Sequence, residues 1–285
     1  MFNTILELTK HRLSLSVIFS SVAGYLIAID YFSIETFLLL CFGGFFLVGA
    51  SNGFNQIIER DRDSIMDRTK NRPIPLGKIS PRSAFIICLI MILSGIVLLY
   101  LINFRTAFFG LLSALIYLFI YTPLKTRTPL CVFFGAIPGA IPFMLGWIAA
   151  TNKFGIEPGV LFMIQFFWQF PHFWAIGWLS DDDYKKAGFK MLPTGKKDKS
   201  TAFQIVFYTI WTILVSLIPL SGFSGLLTIS YISGLLIFLA GIFMLSKSIN
   251  LMLYMNNLSA LRLKYASIFY LTFIQIIFVV DKFIS

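Results

Sequence analysis

The sequence predicts an all-α fold, a polytopic membrane bundle of about nine transmembrane helices, and three observations carry that prediction. Hydrophobic residues make up 58% of the 285 positions and charged residues only 13%, with a mean hydropathy of +0.84, whereas soluble domains are about a quarter charged. The apolar residues, 32 Phe among them, fall in uninterrupted blocks of the roughly 17–25 residues that a helix needs to cross a bilayer. The charges gather between those blocks. No composition shift marks a water-soluble second domain, so residues 1–285 read as a single transmembrane domain.

Nine blocks qualify, near 13–30, 34–58, 83–103, 105–122, 130–151, 158–180, 201–221, 224–246 and 264–281. Only Asn103-Phe-Arg105 separates the third from the fourth, so eight or ten spans also fit. Met1 leads into Glu7, Lys10 and Arg12 with no small-residue cleavage site before the first span, which predicts a retained helix rather than a signal peptide. In the second span Gly43, Gly44 and Gly49 permit close helix contact. Asn71-Arg72-Pro73-Ile74-Pro75-Leu76-Gly77 stops the helix that follows, and Ser80-Pro81 opens the third span as cap and first-turn proline. The fourth ends in the rigid loop Tyr121-Thr122-Pro123-Leu124-Lys125-Thr126-Arg127-Thr128-Pro129, whose two cations serve either as topology anchors or as ligands. The fifth holds Gly135 and Gly139, a small-xxx-small pair, with Pro138 and Pro142 to kink it.

The sixth span is unusual, because Gln165, Gln169 and His172 fall at i, i+4 and i+7 among Trp168, Phe173, Trp174 and Trp178. A polar stripe facing lipid is costly, so it should face the bundle interior. His172 there is either a hydrogen-bonded contact between helices or a ligand. Spans seven to nine carry little chemistry, and residues 250–261, with Asn256 and Asn257, read as a connector. Cys41, Cys88 and Cys131 lie singly in apolar stretches and read as small core hydrophobes.

With the N-terminus in the cytoplasm, 20 of the 23 Lys and Arg residues lie at the cytoplasmic ends, leaving Arg105, Lys153 and Lys282 on the other face. The positive-inside rule therefore predicts an N-in orientation with both acidic clusters cytoplasmic. The net charge of +10 is accounted for by topology and by attraction to lipid head groups and phosphates, without nucleic acid as a partner.

The densest charge lies in residues 55–72. Read as a helix, Asn55, Glu59, Asp63 and Asp67 recur every four residues, each about 6 Å further along the axis and about 40° further round it. Such a stripe offers an amide and carboxylates to a hard divalent cation, and Mg²⁺ shares such ligands with substrate phosphates. Arg68, Lys70 and Arg72 beside it suit phosphate oxygens. Pairing of opposite charges in a solvated loop is the plainer alternative, opposed by the stripe's start inside an apolar segment. Asp181-Asp182-Asp183-Tyr184-Lys185-Lys186 forms a second acidic cluster, 120 residues on and four spans away on the same face. That even offset is the pattern of two parallel halves serving one shared site. No Ser-His-Asp, Cys-His or Gly-rich nucleotide loop competes. Together these features describe a metal-bound diphosphate at the mouth of an apolar chamber that shelters a hydrocarbon tail from water.

Asn55-x3-Glu59-x3-Asp63 followed by Arg68-Thr-Lys70-Asn71-Arg72-Pro73 resembles the first motif of the UbiA superfamily of intramembrane aromatic prenyltransferases. Tyr121-Thr122-Pro123 with Lys125-x-Arg127-Thr128-Pro129, Pro171-His172-Phe173-Trp174 and Asp182-Asp183-Tyr184-x3-Gly188-x2-Met191-Leu192-Pro193 narrow the resemblance to its haem-farnesylating branch, over roughly residues 10–270. The resemblance implies farnesyl diphosphate as donor, haem B as acceptor, Mg²⁺ as cofactor and the inner membrane of a bacterium as location. A downstream haem A synthase or terminal oxidase assembly is the further partner it implies. It makes Asn55, Glu59, Asp63 and Asp183 the catalytic set, with Asp182 joining them as metal ligand. Arg68, Lys70, Arg72, Lys125 and Arg127 become diphosphate ligands, and His172, Gln169 and Trp174 haem contacts. Two departures stand out: Glu59 replaces the Asp of many members, and Leu179 stands where many carry a further Asp. A sister enzyme acting on a quinone or chlorophyll precursor would share the acidic clusters. A transporter would place its charges near mid-bilayer on broken helices.

Overall fold

The computed structural model describes residues 1–284, whose regular elements are all helical. In order they are α1 (Phe2–Leu8), α2 (His11–Ala28), α3 (Ile34–Ile58), α4 (Arg60–Asp63), α5 (Pro81–Ile102), α6 (Phe104–Leu115), a π-helical turn (Ile116–Tyr121), α7 (Thr122–Leu124), α8 (Cys131–Thr151), α9 (Ile156–Leu179), α10 (Asp181–Lys186), α11 (Lys199–Ser216), a 3₁₀ turn (Ile218–Leu220), α12 (Tyr231–Tyr254) and α13 (Asn257–Ile284). Among the described residues, eight helical rods are long and apolar enough to cross a membrane, α6 counting together with its continuation to Leu124. The ninth rod, α9, has 24 residues and so the length, but Gln165, Gln169 and His172 lower its hydropathy. Among the described residues nine rods thus form the bundle, as the apolar blocks predict.

Capping sets several helix starts. Ser33, Ser80, Asn103, Asp198 and Ser230 each accept a hydrogen bond from a first-turn amide, which satisfies one of the four donors a helix N-terminus leaves open. The largest differences from the sequence reading fall at the C-terminal end. The eighth span starts at Tyr231, not near residue 224, because Gly222 (φ 77°) and Gly225 (φ 63°) hold left-handed conformations that interrupt an apolar but non-helical stretch. Asp281 then accepts from the Ser230 backbone and hydroxyl and fixes the new start. The expected connector over 250–261 shrinks to Met255 and Asn256, with α12 and α13 running into it from either side.

α8 is the central rod, packed against α2, α6 and α9. It meets α2 backbone to backbone: a Cβ at Gly24 would collide with the Phe143 carbonyl oxygen, and one at Gly146 with the Ser21 carbonyl oxygen. Gly135 and Gly139 serve otherwise than as a helix-crossing pair. They clear room for side chains, the Tyr121 ring at Gly135 and the Gln169 amide at Gly139.

Candidate active site

The backbone of the first charged segment keeps helical spacing only as far as Asp63. Glu59 N–H donates to the Asn55 carbonyl (2.9 Å) and Asp63 N–H to that of Glu59 (2.8 Å), so Asn55, Glu59 and Asp63 follow one another up one face. All three are buried, at 1, 3 and 0% exposure. The chain then turns, with the Thr69 hydroxyl donating to the Asp63 carbonyl. Asp67 therefore leaves the stripe into which the sequence placed it. It lies exposed, paired with Lys70 (2.6 Å) and Lys186 (2.7 Å), whose hydrogen bonds hold its carboxyl down at about 2.

The return of the loop brings cations onto the buried carboxylates. Arg72 Nη1 lies 2.6 Å from Asp63 Oδ2 and Lys125 Nζ 2.9 Å from Glu59 Oε1. Burial raises the Asp63 carboxyl and Arg72 opposes the rise. Lys125 arrives through the π-helical turn, a feature frequent at functional sites. That turn closes with Thr122 N–H on the Tyr117 carbonyl and leaves the Thr122 hydroxyl to accept from Asn55 Nδ2 (3.1 Å). Tyr121, on the same turn, presents its ring 4.5 Å from Lys125 Nζ.

The two acidic clusters meet, but not as a shared ring of ligands. Both Asp183 oxygens accept loop amides, from Asp67 (3.1 Å) and Arg68 (3.0 Å), and those amides hold its carboxyl below the ordinary value. Asp183 thereby ties the first loop to α10, and Arg68 is set against Tyr184, 5.6 Å from its ring centroid. Asp182 is exposed.

A cavity of about 650 Å³ runs inward from these groups, within the range of small-molecule sites. Asn55, Glu59, Asp63, Arg68, Arg72 and Lys125 line it at the charged end, and Gln165, Gln169 and His172 further in. Four expected ligands stand outside its lining. Lys70 is occupied by Asp67, Arg127 is exposed, and Asp182 and Asp183 lie beyond the wall. Trp174 is a correction to the expected haem contacts: its ring packs on Phe170 (5.3 Å) and Tyr208 (5.2 Å) of α11, because it lies on the opposite side of α9 from the polar stripe.

Sequence reasoning missed Lys10, Tyr117, Ser20 and Gln275, all of which line the cavity. Lys10, just ahead of α2, is brought down to about 7 by burial and then by Arg72 and Lys125. In sequence it looks like any basic residue flanking a span. Gln275 did carry a signal, an amide inside an apolar run. It bonds Ser20 (3.0 Å), which also accepts from Gln165 (3.4 Å), giving a buried polar trio deep in the chamber.

The donor chemistry fits Mg²⁺. Asn55, Glu59 and Asp63 supply oxygens to the cavity wall, and Asp63 Oδ1 is buried without any partner. Among the described residues no three acidic, His or Cys side chains converge closely enough to hold an ion unaided, so the set suits a cation that takes its other ligands from phosphate and water.

An all-helical membrane bundle with carboxylates and cations at the mouth of an apolar chamber is the plan of a membrane prenyltransferase, and the chain belongs to the UbiA prenyltransferase family, whose model matches residues 17–271. Among its relatives, the protoheme IX farnesyltransferase of Christiangramia forsetii is 58% identical over 278 residues, covering 98% of this chain and 93% of the relative. Among solved structures, a digeranylgeranylglyceryl phosphate synthase superposes with a TM-score of 0.82 at 21% identity, covering 100% of this chain and 99% of that one. A UbiA homologue from Archaeoglobus fulgidus, bound to DMAPP and Mg²⁺, gives 0.70 at 18% identity, covering 92% and 97%.

Proposed function

We propose that this chain transfers the farnesyl group of farnesyl diphosphate to a vinyl group of haem B, giving haem O and releasing diphosphate. The observation that carries the reaction class is the charged mouth: two buried carboxylates, each held by a cation, open onto a largely apolar chamber. The acceptor rests on the 58% identity to a protoheme IX farnesyltransferase.

Asn55, Glu59 and Asp63 would hold Mg²⁺. When bound, the ion neutralises the diphosphate and stabilises it as a leaving group. Arg72 and Lys125 would then exchange carboxylate oxygens for phosphate oxygens, joined by Arg68 and Lys10. Lys70 and Arg127 are set back from the wall and contribute field rather than contact. Asp183 keeps the Arg68 loop in place, and it and Asp182 would reach a second ion only if the bonds to Asp67 and Arg68 gave way. The C1–oxygen bond of the donor breaks, its electrons leaving with diphosphate. The vinyl carbon bonds C1, and water adds to the resulting cation with loss of a proton. The Tyr117 and Tyr121 rings line the wall at this end and favour a neighbouring positive centre, while the apolar walls keep water from the allylic cation. Gln169 and His172 would contact the acceptor. The basic-residue distribution supports a mouth that opens to the cytoplasm.

Incubating the purified membrane protein with haem B, Mg²⁺ and farnesyl diphosphate should yield a hydroxyethylfarnesyl haem by chromatography and mass. Unaltered haem, with prenylation of a quinone precursor instead, would overturn the choice of acceptor. No consumption of the donor with either would overturn the reaction class.

A further inference from the structure

His172 is held by two neighbours, and together they decide which of its nitrogens faces the cavity. Its ring stacks on Trp168, with centroids 4.5 Å apart and planes 17° from parallel. Its Nδ1 lies 2.9 Å from the Ser267 hydroxyl on α13. That hydroxyl has a single proton, which it donates to the Lys264 carbonyl at 2.7 Å. With that proton engaged the hydroxyl accepts from Nδ1, the arrangement in which Nδ1 carries the imidazole proton. Trp168 Nε1–H donates to the Ser267 carbonyl at 2.6 Å, which ties the stacked indole to the same residue.

The remaining ring nitrogen, Nε2, is left as the lone pair. Among the described residues it makes no hydrogen bond and is not among the enclosed, unpartnered atoms, and His172 lines the cavity. A neutral imidazole whose N–H is fixed by a partner behind it, with its free nitrogen toward an apolar chamber, is how proteins prepare histidine to bind a metal. His172 lies seven residues before the end of α9 at Leu179, about 10 Å along the axis, inside the chamber and away from the diphosphate groups.

We infer that His172 Nε2 is an axial ligand to the iron of the porphyrin acceptor, and that Ser267 is the positioning residue that sets its tautomer. This rests on the haem acceptor proposed above. The bond would anchor the macrocycle by its centre, leaving its edge free for transfer.

The test titrates haem B, and metal-free protoporphyrin IX as control, into the purified wild type, His172→Ala, Ser267→Ala and Ser267→Thr, following absorption and electron paramagnetic resonance. Wild type should give the spectrum of a histidine-ligated ferric haem. His172→Ala should lose it, and added imidazole should restore it. Ser267→Ala should weaken haem B binding on the order of 10-fold, the lower end for lost outer-shell partners, and alter its spectrum, while leaving protoporphyrin IX binding as in wild type. Ser267→Thr, which keeps the acceptor, should behave as wild type. Haem bound with one and the same spectrum in all four proteins would overturn the ligation and leave the acceptor standing, as would equal weakening for both porphyrins, the mark of mere packing. Failure of wild type to bind either porphyrin would overturn the acceptor itself.

Discussion

Replacing Lys10 with Met should abolish a proton uptake that accompanies donor binding. Lys10 sits immediately before α2 with φ 46°, lines the cavity, and forms no ion pair among the described residues. Burial first, then the like charges of Arg72 and Lys125, bring its amine from 10.5 to about 7. The sign follows directly: the free protein holds this amine mostly neutral above pH 7, and a bound polyanion offsets the two like charges and raises it again. At pH 8 a group at about 7 is roughly one-tenth protonated, so full protonation on binding takes up at most about 0.9 proton per diphosphate. The same arithmetic makes Kd rise by up to roughly 50-fold from pH 7 to pH 9. Calorimetric titration of farnesyl diphosphate without acceptor, in buffers of different ionisation enthalpy, reads the uptake. Subtracting the Lys10→Met result removes protons that belong to the diphosphate itself. Lys10→Arg, charged at every pH, should bind with the variant's uptake but with affinity that no longer falls between pH 7 and 9. Equal uptake in wild type and Lys10→Met would refute the reasoning.

Four further outcomes are expected. Asp63→Asn should lower turnover by more than about 100-fold while thermal unfolding stays cooperative, because it removes both the unpartnered oxygen's charge and the counter-ion of Arg72; activity within a few-fold of wild type would end the ligand role. Glu59→Asp restores the commoner family residue but shortens an arm that meets Lys125 at 2.9 Å, so partial activity is expected, and complete loss would mean the backbone is set for the longer arm. Gly146→Ala should cost about 1–3 kcal/mol of stability by driving a methyl into the Ser21 carbonyl, whereas Gly159→Ala, with open space around it, should be silent; equal melting temperatures for the two would contradict the α2–α8 crossing. A reporter fused after Lys199 should read as cytoplasmic and one after Lys153 as external, and reversed signals would place the diphosphate site on the other face.

Hydropathy and spacing by themselves determined that the protein crosses a membrane about nine times, and that Asn55, Glu59 and Asp63 share a face and Gln165, Gln169 and His172 another. Each of these is a local property, since a span is a run of side chains and a stripe is fixed by 3.6 residues per turn. The prolines, glycines and caps that end the second, third and fourth spans are equally local. The eighth span was misplaced because Phe223 to Ile229 is as apolar as a helix, and only Gly222, Gly225 and the distant Asp281 decide that it is not one. Tertiary structure alone decided which charges meet. It turned Asp67 out of its stripe, set Asp183 on backbone amides, drew Arg72 and Lys125 onto the carboxylates, brought Lys10 into the mouth and rotated Trp174 toward α11. The reason is physical: a helix's sequence fixes the angles between its own side chains, but the rotation of that helix against its neighbours is set by close contacts such as Gly24 on Phe143 and Gly146 on Ser21, between residues more than a hundred positions apart.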